Sequence, residues 1–262
     1  MRENRVKRMI KEGKPVVGIG LSTTDTFIAE VVGRMGFDFV LIDFQHAART
    51  LEQFQNVLIA LHPTESTIIA RAPWNDFVWI NHLLDIGAEG IILPWVNTAE
   101  QARKGVDSLK YPPVGHRSWG PRRAGLLYAS DLDEYAREAN DNVLFLPQIE
   151  TAEAVENLDS ILAVDGVDGI MIGPADLGFS LGFVEKRDNP TVEATIQKVL
   201  DGCKAHNKAW GMFTPSLESA KMWIRRGGLI ATGVGDVALI VEGAKRALKE
   251  IEALKKEVGS KK

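Results

Sequence analysis

At 262 residues, the chain is long enough to bury roughly three quarters of its unfolded surface around one core, a size at which single α/β barrels are common. Its 31 Lys and Arg against 35 Asp and Glu leave a formal charge of -4 with no sustained basic stripe, which argues against nucleic-acid binding. The lone cysteine, Cys203, rules out an intrachain disulfide, no apolar run approaches the roughly 18 residues of a membrane span, and the N-terminus lacks the apolar core of a secretion signal, so a cytoplasmic protein is expected.

In chain order, the basic start MRENRVKRMIKE reads as a small helix closing the bottom of the fold. Residues 16–20 form a first strand, followed by a helix over about 25–35 that Gly36 stops. An apolar strand at 37–43, a helix at 51–61, a strand at 67–71, a helix at 76–86, a strand at 90–93 and a helix at 98–109 keep the alternation going. Tyr111-Pro112-Pro113 then opens a long irregular segment carrying His116, Arg117, Arg122 and Arg123, and long loops inside compact domains are usually functional. A helix resumes at about 131–139.

Strand 144–149 delivers Glu150, and strand 169–172 leads through Gly173-Pro174 to Asp176. Between them Ala152, Val155, Leu158, Ile161 and Leu162 recur at helical spacing, making a βαβ unit. A second long loop, 178–189, precedes a helix to His206, a strand at 209–213, a helix at 217–226 and a strand at 229–234. The last helix, 236–258, carries Val241, Ala244, Leu248, Ile251 and Leu254 on one face. Eight strands alternating with helices, with no linker or low-complexity tract, predict one (β/α)8 barrel domain over residues 1–262. A doubly wound open sheet is the alternative, because strand counting alone does not close a barrel.

Barrel chemistry sits at the C-terminal ends of the strands. There the second strand ends in Asp43-Phe44-Gln45-His46, the third in Arg71, the fifth in Gln148 and Glu150, and the sixth in Gly173-Pro174-Ala175-Asp176. Adjacent parallel strands lie about 4.8 Å apart, so Glu150 and Asp176 are expected at one rim, where one pKa rises unless a cation separates them. Hard oxygen ligands without a neighbouring cysteine or histidine favour Mg2+ or Mn2+ over zinc. The structural alternative makes Glu150 a helix-opening acid and Asp176 a turn cap.

Arg71 suits a carboxylate or an oxyanion, with a salt bridge to Asp43 as the alternative. His46 suits proton transfer near neutral pH, with a turn position as the alternative, and the amides of 173–176 suit a carboxylate. Of the other histidines, His62 and His206 fall at helix C-termini and His82 within a helix, leaving His116 the best placed to reach a substrate. TGVGDVA follows the eighth strand, where barrels bind phosphate. Schiff-base chemistry would need a lysine at a strand's C-terminal end, and Lys208 precedes its strand instead.

FDFVLIDFQHA, RAPWND, LLDIGAEGIILPWVNTAEQA, YPPVGHRS, LPQIETAEAVENLDSIL and VDGIMIGPADL together resemble the metal-dependent 2-oxo-acid aldolases of the HpcH/HpaI type, a family that includes 4-hydroxy-2-oxoheptanedioate and 2-dehydro-3-deoxyglucarate aldolases. The resemblance covers about residues 16–240. It implies a barrel of the phosphoenolpyruvate/pyruvate-binding type, hexameric, with the last helix exchanged between protomers. It also implies Glu150 and Asp176 as ligands of Mg2+, Mn2+ or a similar divalent ion, with no organic cofactor. Pyruvate would chelate that ion, Arg71 would hold the keto oxygen and stabilise the enolate, and Gln148 would line the pocket. His46, paired with Asp85 across a subunit interface, would handle protons near Asp43.

The implied reaction is reversible cleavage of a 4-hydroxy-2-oxo acid into pyruvate and an aldehyde. Oxaloacetate decarboxylation on the same enolate and non-catalytic 2-oxo-acid sensing are the alternatives. One position departs from the family pattern D-x-E-H: Gln45 precedes the histidine, and an amide can neither take up a proton nor offset a cation's charge. Phe44 and Trp95 are expected to bring bulk to the rim and narrow the aldehyde pocket, which the loops 111–123 and 178–189 would build.

Overall fold

A computed structural model describes residues 1–183 and 189–259. Eight parallel strands, β1 (Val16–Leu21), β2 (Phe39–Asp43), β3 (Thr67–Arg71), β4 (Gly90–Leu93), β5 (Leu144–Ile149), β6 (Gly169–Ile172), β7 (Ala209–Met212) and β8 (Ile230–Gly235), pair in sequence order. β8 returns to β1, with Gly20 opposite Gly235 and a register shift between Val17 and Ile19. That pairing closes the barrel and excludes the doubly wound sheet.

The helices are α1 (Arg5–Lys11), α2 (Thr26–Gly33), α3 (Leu51–Leu61), α4 (Phe77–Ile86), α5 (Ala99–Leu109), α6 (Arg122–Tyr128), α7 (Leu132–Asn142), α8 (Ala152–Glu156), α9 (Leu158–Leu162), α10 (Pro174–Ser180), α11 (Pro190–Ala205), α12 (Leu217–Arg225) and α13 (Asp236–Gly259). Their starts are written in the sequence. Asp25, Asp76, Thr98, Asp131, Thr151 and Ser216 each accept an amide of the following turn, and Thr50 with Gln53 forms a capping box. Three elements differ from the sequence reading. The irregular segment contains α6, the helix after β5 breaks at Asn157, and the turn after β6 continues into α10. Residues 184–188 of the second expected loop lie outside the described residues.

The alternation of strand side chains builds two apolar layers and points the site upward. Val16, Phe39, Leu41, Ile69, Ile92, Leu144, Leu146, Met171 and Ile230 fill the barrel, and α1 plugs its bottom with Val6 and Ile10. Ile19, Val40, Ile42, Ile68, Ile91, Phe145 and Ile170 pack outward beneath the helices. Two residues beyond the interior side chains Leu41, Ile69, Leu146 and Met171, the same inward rows present Asp43, Arg71, Gln148 and Gly173. The barrel's own periodicity therefore delivers the polar rim.

α13 behaves differently from the other helices. Of its 24 residues only Asp236 is buried, while Val237, Ile240, Val241, Leu248, Ile251 and Leu254 are exposed. No helix among the described residues is long and apolar enough to cross a membrane.

Candidate active site

The rim opens into a cavity of about 1040 Å³ lined by Asp43, His46, Arg71, Gln148, Gly173, Pro174, Ala175 and Asp176, among others. Against Gln148 and Gly173 of this lining lies Glu150, which is fully buried. The Trp95 amide donates to Glu150 Oε1 at 2.8 Å, and Gln148 Nε2 donates to Oε2. Gly173 admits this arrangement, because a Cβ there would sit 2.8 Å from Glu150 Oε2 and 2.9 Å from Gln148 Nε2. Trp95 holds its amide in place with a φ of 56°, a left-handed conformation that non-glycine residues adopt at a cost and that clusters at functional sites.

Burial, and to a smaller extent the negative charge of Asp176, push Glu150 up to about 7, against the opposing pull of the Trp95 amide, Gln148 and Arg71. Asp176 stands in the first turn of α10, directly after Pro174 and Ala175. The early amides of a helix have no intrahelical acceptor, so this turn offers both a carboxylate and N–H donors at the rim.

Asp43 and Arg71 are opposite one another across the β2–β3 pairing. Arg71 Nε donates to Asp43 Oδ1 at 2.9 Å and its Nη2 donates to Oδ2 at 2.5 Å, so the salt bridge foreseen as the alternative role for Arg71 is formed. The pair still faces the cavity, with Arg71 11% and Asp43 23% exposed. Burial alone would raise Asp43, but the Arg71 bonds and charge, with the Gln45 and His46 amides, hold its carboxyl below the usual range. Phe213 covers the guanidinium, its ring centroid 4.9 Å away.

The structure separates the remaining candidates. Asp85, in the last turn of α4, accepts from Arg117 Nη2 at 2.8 Å, and Arg117 lies against the Tyr111 and Tyr135 rings. Because α4 runs back from the rim, this places Asp85 toward the far end of the barrel, and His46 and Asp85 do not meet within one chain. His116 is exposed and bonded to Asp107 at 2.5 Å, away from the cavity lining. Phe44 does not narrow the cavity: it is buried, edge-on to Phe54 with ring centroids 5.2 Å apart. Trp95 acts through its amide, and its ring is not among the cavity-lining residues. After β8 no anion cup is open, because the Asp236 carboxylate already accepts the Ser22 and Thr23 amides.

The donor set suits a hard divalent ion. Glu150 and Asp176 are two like charges close enough for one to raise the other, and Gln148 Oε1 is buried without a protein partner. No cluster of three or more His, Cys, Asp or Glu suited to a metal occurs among the described residues, so these two carboxylates would leave most coordination positions to substrate and water.

Fold and rim together define a (β/α)8 enzyme with an acidic site at the C-terminal ends of its strands. Residues 17–242 match the HpcH/HpaI aldolase/citrate lyase family. The chain is 38% identical over 259 residues to a 4-hydroxy-2-oxo-heptane-1,7-dioate aldolase of Salmonella arizonae, covering 98% of each protein. The crystal structure of an HpcH/HpaI aldolase from Desulfitobacterium hafniense superposes with a TM-score of 0.86 at 33% identity, covering 94% of this chain and 96% of that one. A family structure from Burkholderia cenocepacia gives 0.89 at 28%, with coverage of 95% and 99%. The chain belongs to the HpcH/HpaI aldolase/citrate lyase family and is a carbon–carbon lyase.

Proposed function

We propose that this protein is a class II aldolase that reversibly cleaves a 4-hydroxy-2-oxo acid, of the kind its Salmonella relative is named for, into pyruvate and an aldehyde. The observation that carries this reading is the buried Glu150 beside Asp176, next to an arginine held by Asp43 at an open cavity. No lysine is among the described residues lining that cavity, so a Schiff base has no amine to form on.

Glu150 and Asp176 would hold a divalent ion such as Mg2+ or Mn2+, which when bound supplies positive charge beside the 2-oxo group. The chain's own residues do the rest. Asp43 engages Nε and Nη2 of Arg71 and fixes the plane of the guanidinium, leaving Nη1 for the keto oxygen. His46 takes the proton of the C4 hydroxyl. The C3–C4 electron pair then moves onto the C2 oxygen, where Arg71 stabilises the growing charge. A proton returned to C3 gives pyruvate.

Asp85 would reach His46 only from a neighbouring subunit. The exposed apolar face of α13 supports the exchanged helix and hexamer that the family resemblance implies, and the absence of a membrane-crossing helix among the described residues fits a cytoplasmic enzyme.

The test is pyruvate release from 4-hydroxy-2-oxo acids, followed with lactate dehydrogenase after EDTA treatment. Release that returns with Mg2+ or Mn2+ and is lost in Glu150→Ala supports the reading. Full release in EDTA, or none with any divalent ion, overturns it.

A further inference from the structure

Five glycines at inward positions on β1, β4, β6 and β7, or directly after β6, have packing reasons. A Cβ on Gly18 would strike the Phe39 ring, one on Gly90 would lie 3.1 Å from Leu144, and one on Gly169 would lie 2.6 Å from Ala209 O. On Gly173 it would press on Glu150 at 2.8 Å, and on Gly211 on the Met171 sulfur at 2.5 Å. Gly20 differs from these, as does Gly235 opposite it. A Cβ built on Gly20 meets nothing closer than 3.9 Å, and the φ of Gly20 is not in the left-handed region. Glycine in a strand interior weakens the strand, so neither backbone geometry nor packing accounts for this residue.

What Gly20 does is leave space. It occupies the inward row of β1 level with Leu41 of β2, and it lines the cavity that holds Asp43, Arg71 and Asp176. Across the β1–β8 pairing stands Gly235, where a Cβ would meet only Gly20 O at 3.7 Å. The two glycines leave a gap in the wall of a cavity that Ser22, Phe213, Thr232 and Val234 also line. The cavity, about 1040 Å³, is at the upper end of sites that enclose drug-sized ligands, far more than a three-carbon 2-oxo acid fills.

We propose that Gly20 sets the size of the acceptor lobe, opening the β8–β1 side of the rim to aldehydes that carry a ring or a branched chain. The proposal rests on the aldolase reading above. In it, the pyruvate half sits at Glu150, Asp176 and Arg71, and the substituent of the aldehyde extends past Gly20 toward Gly235. A side chain at position 20 would fill that lobe without touching the carboxylates.

The experiment compares wild type, Gly20→Ala and Gly20→Leu, each with Mg2+, in aldol addition of pyruvate to benzaldehyde and to glycolaldehyde. Deuterium exchange into the pyruvate methyl group is measured in parallel. The expected result is a fall of about tenfold or more in kcat/KM for benzaldehyde relative to glycolaldehyde in Gly20→Leu, a smaller fall in Gly20→Ala, and methyl exchange within about twofold of wild type in both. An unchanged benzaldehyde-to-glycolaldehyde ratio overturns the proposal. Loss of exchange in Gly20→Leu also overturns it, because the side chain would then occupy the pyruvate half. Absence of exchange in the wild type would overturn the aldolase reading itself, and this proposal with it.

Discussion

Gly173→Ala tests the rim's construction most sharply. The added methyl carbon would lie 2.8 Å from Glu150 Oε2, 2.9 Å from Glu150 Cβ and 2.9 Å from Gln148 Nε2, whereas carbon and oxygen in ordinary contact stay about 3.3 Å apart or more. One group must move by about half an ångström, and neither does so freely. Glu150 is fully buried and held at its other oxygen by the Trp95 amide at 2.8 Å, and Gln148 is 1% exposed. Either an overpacking strain of about 1–3 kcal/mol is stored or a hydrogen bond to the carboxylate is lost at about 1.5–3 kcal/mol. A stability loss of about 2–3 kcal/mol corresponds to a Tm lower by about 5–10 °C in a domain of this size. A carboxylate displaced by that distance should also lower turnover about tenfold. Thermal unfolding and pyruvate release measure the two effects, with Gly20→Ala as the control substitution that meets nothing closer than 3.9 Å and should not lower Tm. A Gly173→Ala protein with wild-type Tm and turnover would refute the reasoning.

Glu150→Gln and Asp176→Asn should each abolish divalent-ion-dependent turnover while the circular dichroism spectrum stays that of the wild type, since each swap keeps shape and removes one carboxylate. Arg71→Lys keeps the charge but loses the two-pronged bond to Asp43, and kcat/KM should fall about a hundredfold or more with a Tm change of only a few degrees. Lys110 is buried, and burial brings its ammonium down to about 8 from 10.5. Because the folded value is the lower one, the folded state disfavours the charged form. That cost is fully present below about pH 8 and fades as pH rises toward 10.5. The stability of wild type relative to Lys110→Met, from urea unfolding at several pH values, should therefore rise across this window by at most about 3 kcal/mol. A flat difference would contradict the assignment.

Much of the fold was legible because caps and strand runs are local signals. Thr50, Asp76 and Thr98 mark helix starts within the chain, and every strand coincides with an apolar run. Closure was not local, since β1 meets β8 only through a pairing more than two hundred residues apart in sequence. At the site, Asp43, Arg71, Gln148, Glu150 and Asp176 could be collected from strand ends because the inward row has a period of two. The Trp95 amide could not be found that way, since any residue type supplies an N–H and only its φ of 56° places it. Phe44 was misread because its side chain follows the outward row, into Phe54 and Trp79. Asp85 was foreseen as acting across an interface, and its bond to Arg117 within the chain gives no local sign of His46. Gly20 and Gly173 look alike as letters, and only the neighbours of their missing Cβ atoms distinguish an open wall from a packed one.

The most direct measurement of the central claim is deuterium incorporation into the methyl group of pyruvate in D2O, followed by NMR on EDTA-treated protein before and after adding Mg2+ or Mn2+. It asks whether the rim generates the enolate, with no aldehyde required. Exchange that appears only with the divalent ion and disappears in Arg71→Ala is the predicted result. Exchange that proceeds in EDTA, or fails to appear although pyruvate binds in the presence of the ion, would contradict an aldolase built on Glu150, Asp176 and Arg71.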